Sequence, residues 1–141
     1  FSNFPVLSIP ESLFTASQII RQRRSAVDFD MARSIMSSEH FMACLSATLP
    51  RANYAPFDVE LIEPSVHLFI FIHNVTDIEP GLYVLVRNPN HDQELRTHIH
   101  PHFVWEIVQD SFPLYLLQPG NFRKDAMTIS CQQNIAGASA F

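Results

Sequence analysis

The spacing of apolar positions changes along the chain, and each change predicts a different element. Phe41, Met42 and Leu45 are spaced as on one face of a helix. Residues 66–72 instead form a nearly continuous run of apolar, β-branched and aromatic side chains, which predicts a strand buried on both faces. A second apolar run at 82–86 follows after a short connection, so we expect the two strands to pair antiparallel.

Capping signals predict where the first helix begins and ends. Thr15 and Gln18 match a capping box, so the helix is expected to begin at Thr15. Ile19 and Ile20 are expected to form its buried side. The helical spacing is lost after residues 24–25, so the helix should end there.

The other boundaries follow from breakers and capping residues. A second helix is expected to begin at Ser37 or Ser38 and to end at Pro50. Residues 51–60 are rich in breakers and predict a loop.

The second half of the chain predicts two more strands and a final helix. Residues 88–101 are polar and predict an irregular loop, whereas 103–108 and 114–117 predict strands. A turn with an N-cap at 119–121 should open a helix that runs from Phe122 to the end. The order of helices and strands predicts an α+β layer fold.

Composition narrows the classes of function. The chain has 141 residues, of which 47% are hydrophobic and 16% charged, so it is one globular domain's worth of sequence. The net charge of −5 argues against a nucleic-acid partner, and no apolar stretch is long enough for a membrane span. Twelve phenylalanines suggest apolar surface buried against a partner or around a flat ligand. Without a secretion signal, a cytoplasmic enzyme is the simpler expectation.

The ends of the sequence suggest a piece of a longer polypeptide. The chain opens at Phe1 without a methionine and stops at Phe141, inside the expected last helix. Residues 1–14 predict an extended lead-in that could cross another surface, and residues 15–141 the domain itself, truncated at its C-terminus.

A cluster of arginines beside a serine is the main candidate binding site. Arg23 and Arg24 precede Ser25 at the end of the first helix, with Arg21 one turn earlier. Guanidinium groups offer paired donors to neighbouring oxygens, which is what a phosphate needs. The alternative is that these arginines only stabilise the negative end of the helix.

Three alternating histidines are a candidate metal site. His98, His100 and His102 alternate, so on a strand they would share one face and could bind a metal. Pro101 interrupts any strand there, and a histidine-rich solvated loop is the preferred interpretation, with no metal expected.

The remaining histidines and the two cysteines are interpreted as structural. His67 and His73 flank the first strand and are expected to be hydrogen-bonded residues of the fold. Cys44 and Cys131 lie in apolar segments, which predicts buried thiols. No serine-hydrolase elbow, P-loop or paired carboxylate can be identified, so we assign no catalytic side chain.

Three segments in order resemble the nitroreductase superfamily, most closely its SagB-like dehydrogenase branch. They are Arg-Arg-Ser at 23–25, Glu-Pro-Gly-Leu-Tyr at 79–83 and Cys-Gln-Gln-Asn-Ile-Ala at 131–136. The resemblance spans about residues 15–141, nearly the whole chain.

The resemblance implies a flavoenzyme. It implies a three-layer α+β fold, with an antiparallel-dominated sheet flanked by helices, built as a dimer or as a fused pseudo-dimer with FMN between the halves. Hydride would pass between NAD(P)H, or a bound small-molecule or peptide substrate, and FMN. Carried over by motif, Arg23, Arg24 and Ser25 would hold the FMN phosphate and ribityl chain.

Two departures from the family pattern keep an alternative open. Val27 stands where many members place a cation near the flavin ring, and only Pro64-Ser65 remains of the loop before the long strand. The alternative is a half-domain without cofactor that serves as a scaffold or binds peptides. In either case the partner would be a second copy or a fused second half.

Overall fold

A computed structural model describes residues 13–51, 57 and 63–141 of the chain. The loop expected at 51–60 and the lead-in expected at 1–14 lie largely outside this part. The elements, in chain order, are α1 (Ala16–Gln22), α2 (Ser38–Thr48), β1 (Leu68–Ile72), β2 (Gly81–Leu85), a 3-10 turn (Pro89–His91), α3 (Asp92–His98), β3 (Glu106–Gln109), β4 (Phe112–Pro119), α4 (Arg123–Ile129) and α5 (Asn134–Ala138).

The four strands form one antiparallel sheet in the order β1-β2-β4-β3. The predicted α+β class and the predicted antiparallel pairing of the first two strands are confirmed. Tyr83 lies opposite Ile70 on β1 and Leu116 on β4, so it sits in the centre of the sheet. Its hydroxyl donates to the Glu79 carbonyl, and burial raises its pKa to about 12.

Successive residues of β2 face opposite sides of the sheet, and each side is covered by a helix. On one side, Tyr83 and Leu85 join the larger core cluster with residues of α2. On the other side, Val84 packs with Leu117, and Leu95 of α3 covers them. The sheet therefore lies between α2 and α3, and the larger core is on the α2 side.

The first helix begins as predicted but ends earlier and is exposed. Thr15 is its N-cap, and both hydrogen bonds of the capping box with Gln18 are present. The helix ends at Gln22, since Arg23 has an extended backbone. The expectation that Ile19 and Ile20 are buried is wrong, because α1 belongs to neither core cluster and buries no residue.

The apolar run predicted a first strand that is buried on both faces, and this prediction is wrong, because β1 is buried on one face only. Ile70 and Ile72 are buried in the core, whereas Phe69 on the opposite face is half-exposed. β1 is an edge of the sheet, and within the described residues neither core cluster extends over Phe69.

The region 88–101 is not an irregular loop, because it contains α3. Arg96 pairs with Asp92 one turn earlier at 2.9 Å. The Arg96 guanidinium also lies over the rings of Trp105, at 4.2 Å from the centroid, and Tyr115, at 4.9 Å. These contacts with distant aromatic residues stabilise a helix that its polar sequence did not predict.

The C-terminal region is two helices rather than one. The chain breaks between α4 and α5, where Cys131 and Gln132 have positive φ angles of 56° and 63°. Asn121 is not the N-cap, although its side chain accepts a hydrogen bond from the Arg123 N–H. The prediction that Cys131 and Cys44 are buried is also wrong, since both are exposed.

Candidate functional site

The arginine cluster lies directly after α1 on the surface. Arg23, Arg24 and Ser25 are all exposed. One terminal nitrogen of Arg24, Nη1, donates to the carbonyl oxygens of Arg23 at 2.9 Å, Arg21 at 3.1 Å and Gln22 at 3.4 Å. Arg24 thus stabilises the carbonyl end of the helix, which is the alternative that the sequence left open.

The rest of the cluster has unused donors. Within the described residues, the guanidinium of Arg23 and the hydroxyl of Ser25 have no hydrogen-bond partner, and neither Arg23 nor Arg24 forms an ion pair. On a chain with a net charge of −5, two arginines that pair with no described carboxylate form a local anion-attracting surface.

The segment that carries the cluster exposes an unusual amount of apolar surface. We call residues 13–35 the N-terminal arm. Large apolar side chains remain exposed along its whole length: Leu13, Phe14, Ile19, Ile20, Val27, Phe29, Met31 and Ile35. Many exposed large apolar side chains in one segment are typical of an interface with another protein or lobe.

Two open apolar cavities lie near the arm and share a wall. One, of about 470 Å³, lies between α2, β1 and the C-terminal segment. The other, of about 480 Å³, is lined by Phe29 and Arg33 of the arm and by the last three residues of the chain. Phe141 lines both cavities. Neither cavity is lined by Arg23, Arg24 or Ser25, so the cluster lies outside both of them.

His73 forms a buried wall of the first cavity. Its ring Nε2 lies 3.2 Å from the Ala136 carbonyl oxygen, and its backbone N–H donates to the Ala140 carbonyl at 2.9 Å. Burial lowers the pKa of His73, the charge of Arg123 acts in the same direction, and the hydrogen bond to Ala136 opposes both. His73 is therefore a structural histidine, as predicted, and it fastens the C-terminal segment to the end of β1.

His67, at the other end of β1, is also a hydrogen-bonded histidine as predicted. Its Nδ1 accepts from the Arg87 backbone N–H at 3.1 Å, and its Nε2 lies 3.2 Å from His91 Nδ1. Burial lowers the pKa of His67, and the nearby His91 and Arg87 lower it further.

The lowered pKa of His73 predicts that the protein loses stability in mild acid. Unfolded histidine titrates near 6.5, so below that pH the unfolded state binds protons before the folded state does. We expect the free energy of unfolding, measured by urea titration, to fall as the pH is lowered from 7.5 through 6.5. His73→Asn should reduce this pH dependence, whereas His40→Asn at an exposed site of α2 serves as the control. A pH dependence unchanged by His73→Asn would contradict this prediction.

The three alternating histidines do not lie on a strand. His98 ends α3, where its Nδ1 lies 2.9 Å from the Glu94 carbonyl oxygen, and the rings of His100 and His102 are 4.9 Å apart in the following turn. Among the described residues, no group of three or more histidine, cysteine or acidic side chains is placed to hold a metal ion.

Comparisons of this chain with protein-family models, with curated proteins and with solved structures found no match. In the part of the chain that the structure covers, no helix combines the length and the hydrophobicity that crossing a membrane requires.

Sequence reasoning identified the arginine cluster but not the cavities. Nothing in the spacing of Phe29 and Phe141 indicates that they line one cavity. The residues that meet there are more than a hundred positions apart in the chain, and only the folded structure brings them together.

Proposed function

We propose that this chain is an FMN-dependent oxidoreductase of the nitroreductase type, or one half of such an enzyme. The observation that supports it most directly is on the N-terminal arm, whose apolar side chains are exposed: among the described residues, two arginines have no carboxylate partner and the neighbouring serine hydroxyl has no hydrogen-bond partner. Phosphate binding needs the free donors of the arginines and the serine. A flavin ring shared between two lobes needs the apolar surface.

The donors of the cluster fit a phosphate group. In the part of the chain that the structure describes, the side chains of Arg23 and Ser25 have no hydrogen-bond partner, and Arg24 uses only Nη1 for the helix carbonyls, which leaves its other nitrogens for a ligand. The FMN phosphate would be held by these three residues. When bound, the flavin would supply the hydride chemistry between NAD(P)H, or a small-molecule or peptide substrate, and an acceptor. The residues of this chain bind and orient it, and none needs to act as a nucleophile.

A second lobe is part of this proposed function. The exposed apolar residues of the N-terminal arm would be buried against a second copy of the chain or a fused second half, in a nitroreductase-like, three-layer arrangement in the cytoplasm. Burial of apolar surface is stabilising by about 25 cal/mol per Å², so an exposed surface of this length favours such a partner.

Flavin binding tests the assignment directly. The full chain, alone and with its second lobe, is titrated with FMN while the quenching of flavin fluorescence is followed. We expect saturable binding that is weakened about ten-fold or more in Arg23→Ala/Arg24→Ala, because a charge-assisted hydrogen bond contributes about 1.5–3 kcal/mol.

The matched control is Lys124→Ala, which removes an exposed cation from α4. Its FMN affinity should equal that of the unmodified chain. An assembled protein that takes up no FMN, or one that loses affinity equally in the control, would contradict the flavoenzyme assignment.

A scaffold without cofactor is the second candidate. It is favoured by the engagement of Arg24 with the helix carbonyls and by Val27, which is almost fully exposed where many family members have a cation. For a scaffold, Arg23→Ala/Arg24→Ala should leave the assembled protein unchanged, whereas Ile20→Asp on the apolar arm should disrupt assembly. Sedimentation velocity confirms that each variant assembles or not, and the FMN occupancy of the assembled Arg23→Ala/Arg24→Ala variant distinguishes the two functions: it falls for a flavoenzyme and does not change for a scaffold.

A further inference from the structure

A third cavity, separate from the arginine cluster, combines fixed polar groups with an apolar wall. It has a volume of about 340 Å³ and lies where the end of α2 meets the connection from β2 to α3. Three prolines form its apolar wall, and its polar lining is Arg87, Asn88, Asn90 and Glu63.

Arg87 is held in this cavity by two backbone carbonyls, and among the described residues it has no carboxylate partner. Its Nε donates to the Thr48 carbonyl at 2.9 Å and its Nη1 to the Val66 carbonyl at 3.2 Å. Within the described residues its Nη2 has no partner, and it forms no ion pair with Glu63. A guanidinium fixed by two carbonyls, with one terminal nitrogen left over, is preorganised to bind an anion.

The neighbouring hydrogen-bond network has one donor too many. The backbone N–H of Arg87 donates to His67 Nδ1, so neutral His67 carries its proton on Nε2 and donates to His91 Nδ1. His91 then carries its own proton on Nε2, which lies 3.3 Å from Asn88 Nδ2. The Asn88 Oδ1 is already bound by the Asn90 N–H, so the amide cannot turn over without a new conflict.

Two donors therefore face each other at the wall formed by Asn88. Asn88 is buried, with 4% of its surface exposed, and it lines the cavity, so only an acceptor that enters the cavity can reach its amide. An external acceptor bound in the cavity would accept a hydrogen bond from the Asn88 side-chain amide, and the contact between the two donors of Asn88 and His91 would then be relieved. Arg87 and Asn88 thus call for the same kind of ligand atom, an anionic oxygen.

Glu63 determines which anion fits. It lines the same cavity as Arg87, so a dianion such as phosphate is repelled, whereas a ligand with both charges is matched. We propose that this cavity binds a free α-amino acid: the carboxylate on Arg87 and Asn88, the ammonium group on Glu63, and a small side chain against the prolines. A peptide C-terminus shares the carboxylate but lacks the ammonium group.

Isothermal titration calorimetry of the full chain with four probes tests the proposal. Glycine should bind about ten-fold more tightly than acetate or N-acetylglycine, because only glycine pairs with Glu63, and phosphate should be weakest. N-acetylglycine binding as tightly as glycine would overturn the assignment in favour of a peptide terminus. Phosphate binding tightest, or no binding of glycine, would overturn it outright.

Two variants assign the binding to these side chains. Glu63→Gln should weaken glycine about ten-fold and strengthen acetate, and Arg87→Lys should abolish both. Lys124→Gln is the control and should change neither. Arg87 also joins elements of the fold, so if Arg87→Lys does not fold, Glu63→Gln decides alone: an unchanged preference for glycine would overturn the proposal. None of these residues belongs to the arginine cluster, so loss of FMN binding and loss of glycine binding are separate outcomes.

Discussion

Replacing Phe41 by alanine is expected to lower the free energy of unfolding by about 3–5 kcal/mol, the usual cost of truncating a fully buried phenylalanine. Phe41 has no exposed surface and belongs to the core between α2 and the sheet. Its ring also meets that of Phe141 edge-on at 4.9 Å, so it joins the C-terminus to the core. Urea unfolding followed by circular dichroism measures the loss.

Phe69→Ala is the matched control, since the same atoms are removed from a side chain that is 50% exposed. It should cost about 1 kcal/mol or less, as surface substitutions generally do. Equal losses in the two variants would mean that the larger core is not on the α2 side of the sheet.

Gly81→Ala is expected to cost about 2–3 kcal/mol, in the upper part of the range for overpacking. A Cβ at Gly81 would lie 2.6 Å from the backbone oxygen of Gln118 and 2.9 Å from Cδ1 of Leu116. Gly81 begins β2, where it pairs with Pro119 of β4, so the methyl group can be accommodated only by separating the two central strands.

A double-mutant cycle with Leu116→Ala identifies which contact sets this cost. Truncating Leu116 removes the side-chain contact but leaves the backbone oxygen of Gln118 in place. We therefore expect the cost of Gly81→Ala to remain in the Leu116→Ala background. Full relief would show that the flexible side chain, rather than the strand backbone, excludes the methyl group.

The exposed apolar arm and the arginine cluster are parts of the same segment. If the proposed second lobe packs against the arm, it also comes next to Arg23 and Ser25. None of the three cavities described above is lined by Arg23, Arg24 or Ser25, so we expect that lobe to supply the remaining walls of a flavin site. The flavin titration of the assembled protein therefore tests the partner and the cofactor together, and sedimentation of the Ile20→Asp variant tests the partner alone.

Helix starts and strand runs were predictable because their signals are local. The capping box at Thr15 and the N-cap at Ser37 depend on hydrogen bonds between residues three positions apart, and both are present. The apolar runs near 66–72 and 82–86 contain β1 and β2, and their short connection permits only antiparallel pairing.

The errors concern features that depend on distant contacts. The helix α3 is stabilised by Arg96 stacking on Trp105 and Tyr115, and no local pattern reports that stacking. Periodicity showed that α1 has an apolar side, but it could not show whether a partner surface within the chain covers that side.

The candidate sites divide in the same way. The arginine cluster was predictable because its residues are consecutive in the sequence. The hydrogen bonds from Arg24 to the helix carbonyls were left open by the sequence and are shown only by the structure. The cavity of Arg87 and Glu63 was not predicted, because residues from three separate segments form it.

By itself, the amino-acid sequence determined the α+β class, the starts of α1 and α2 and the position of the cluster after α1, since capping and periodicity act over a few residues. Only the tertiary structure decided which apolar faces are buried, where the C-terminal helix breaks and which polar groups share a cavity. Burial and charge pairing depend on contacts between segments that are distant in the sequence. These contacts exist only once the sheet has formed, so local sequence patterns do not reveal them.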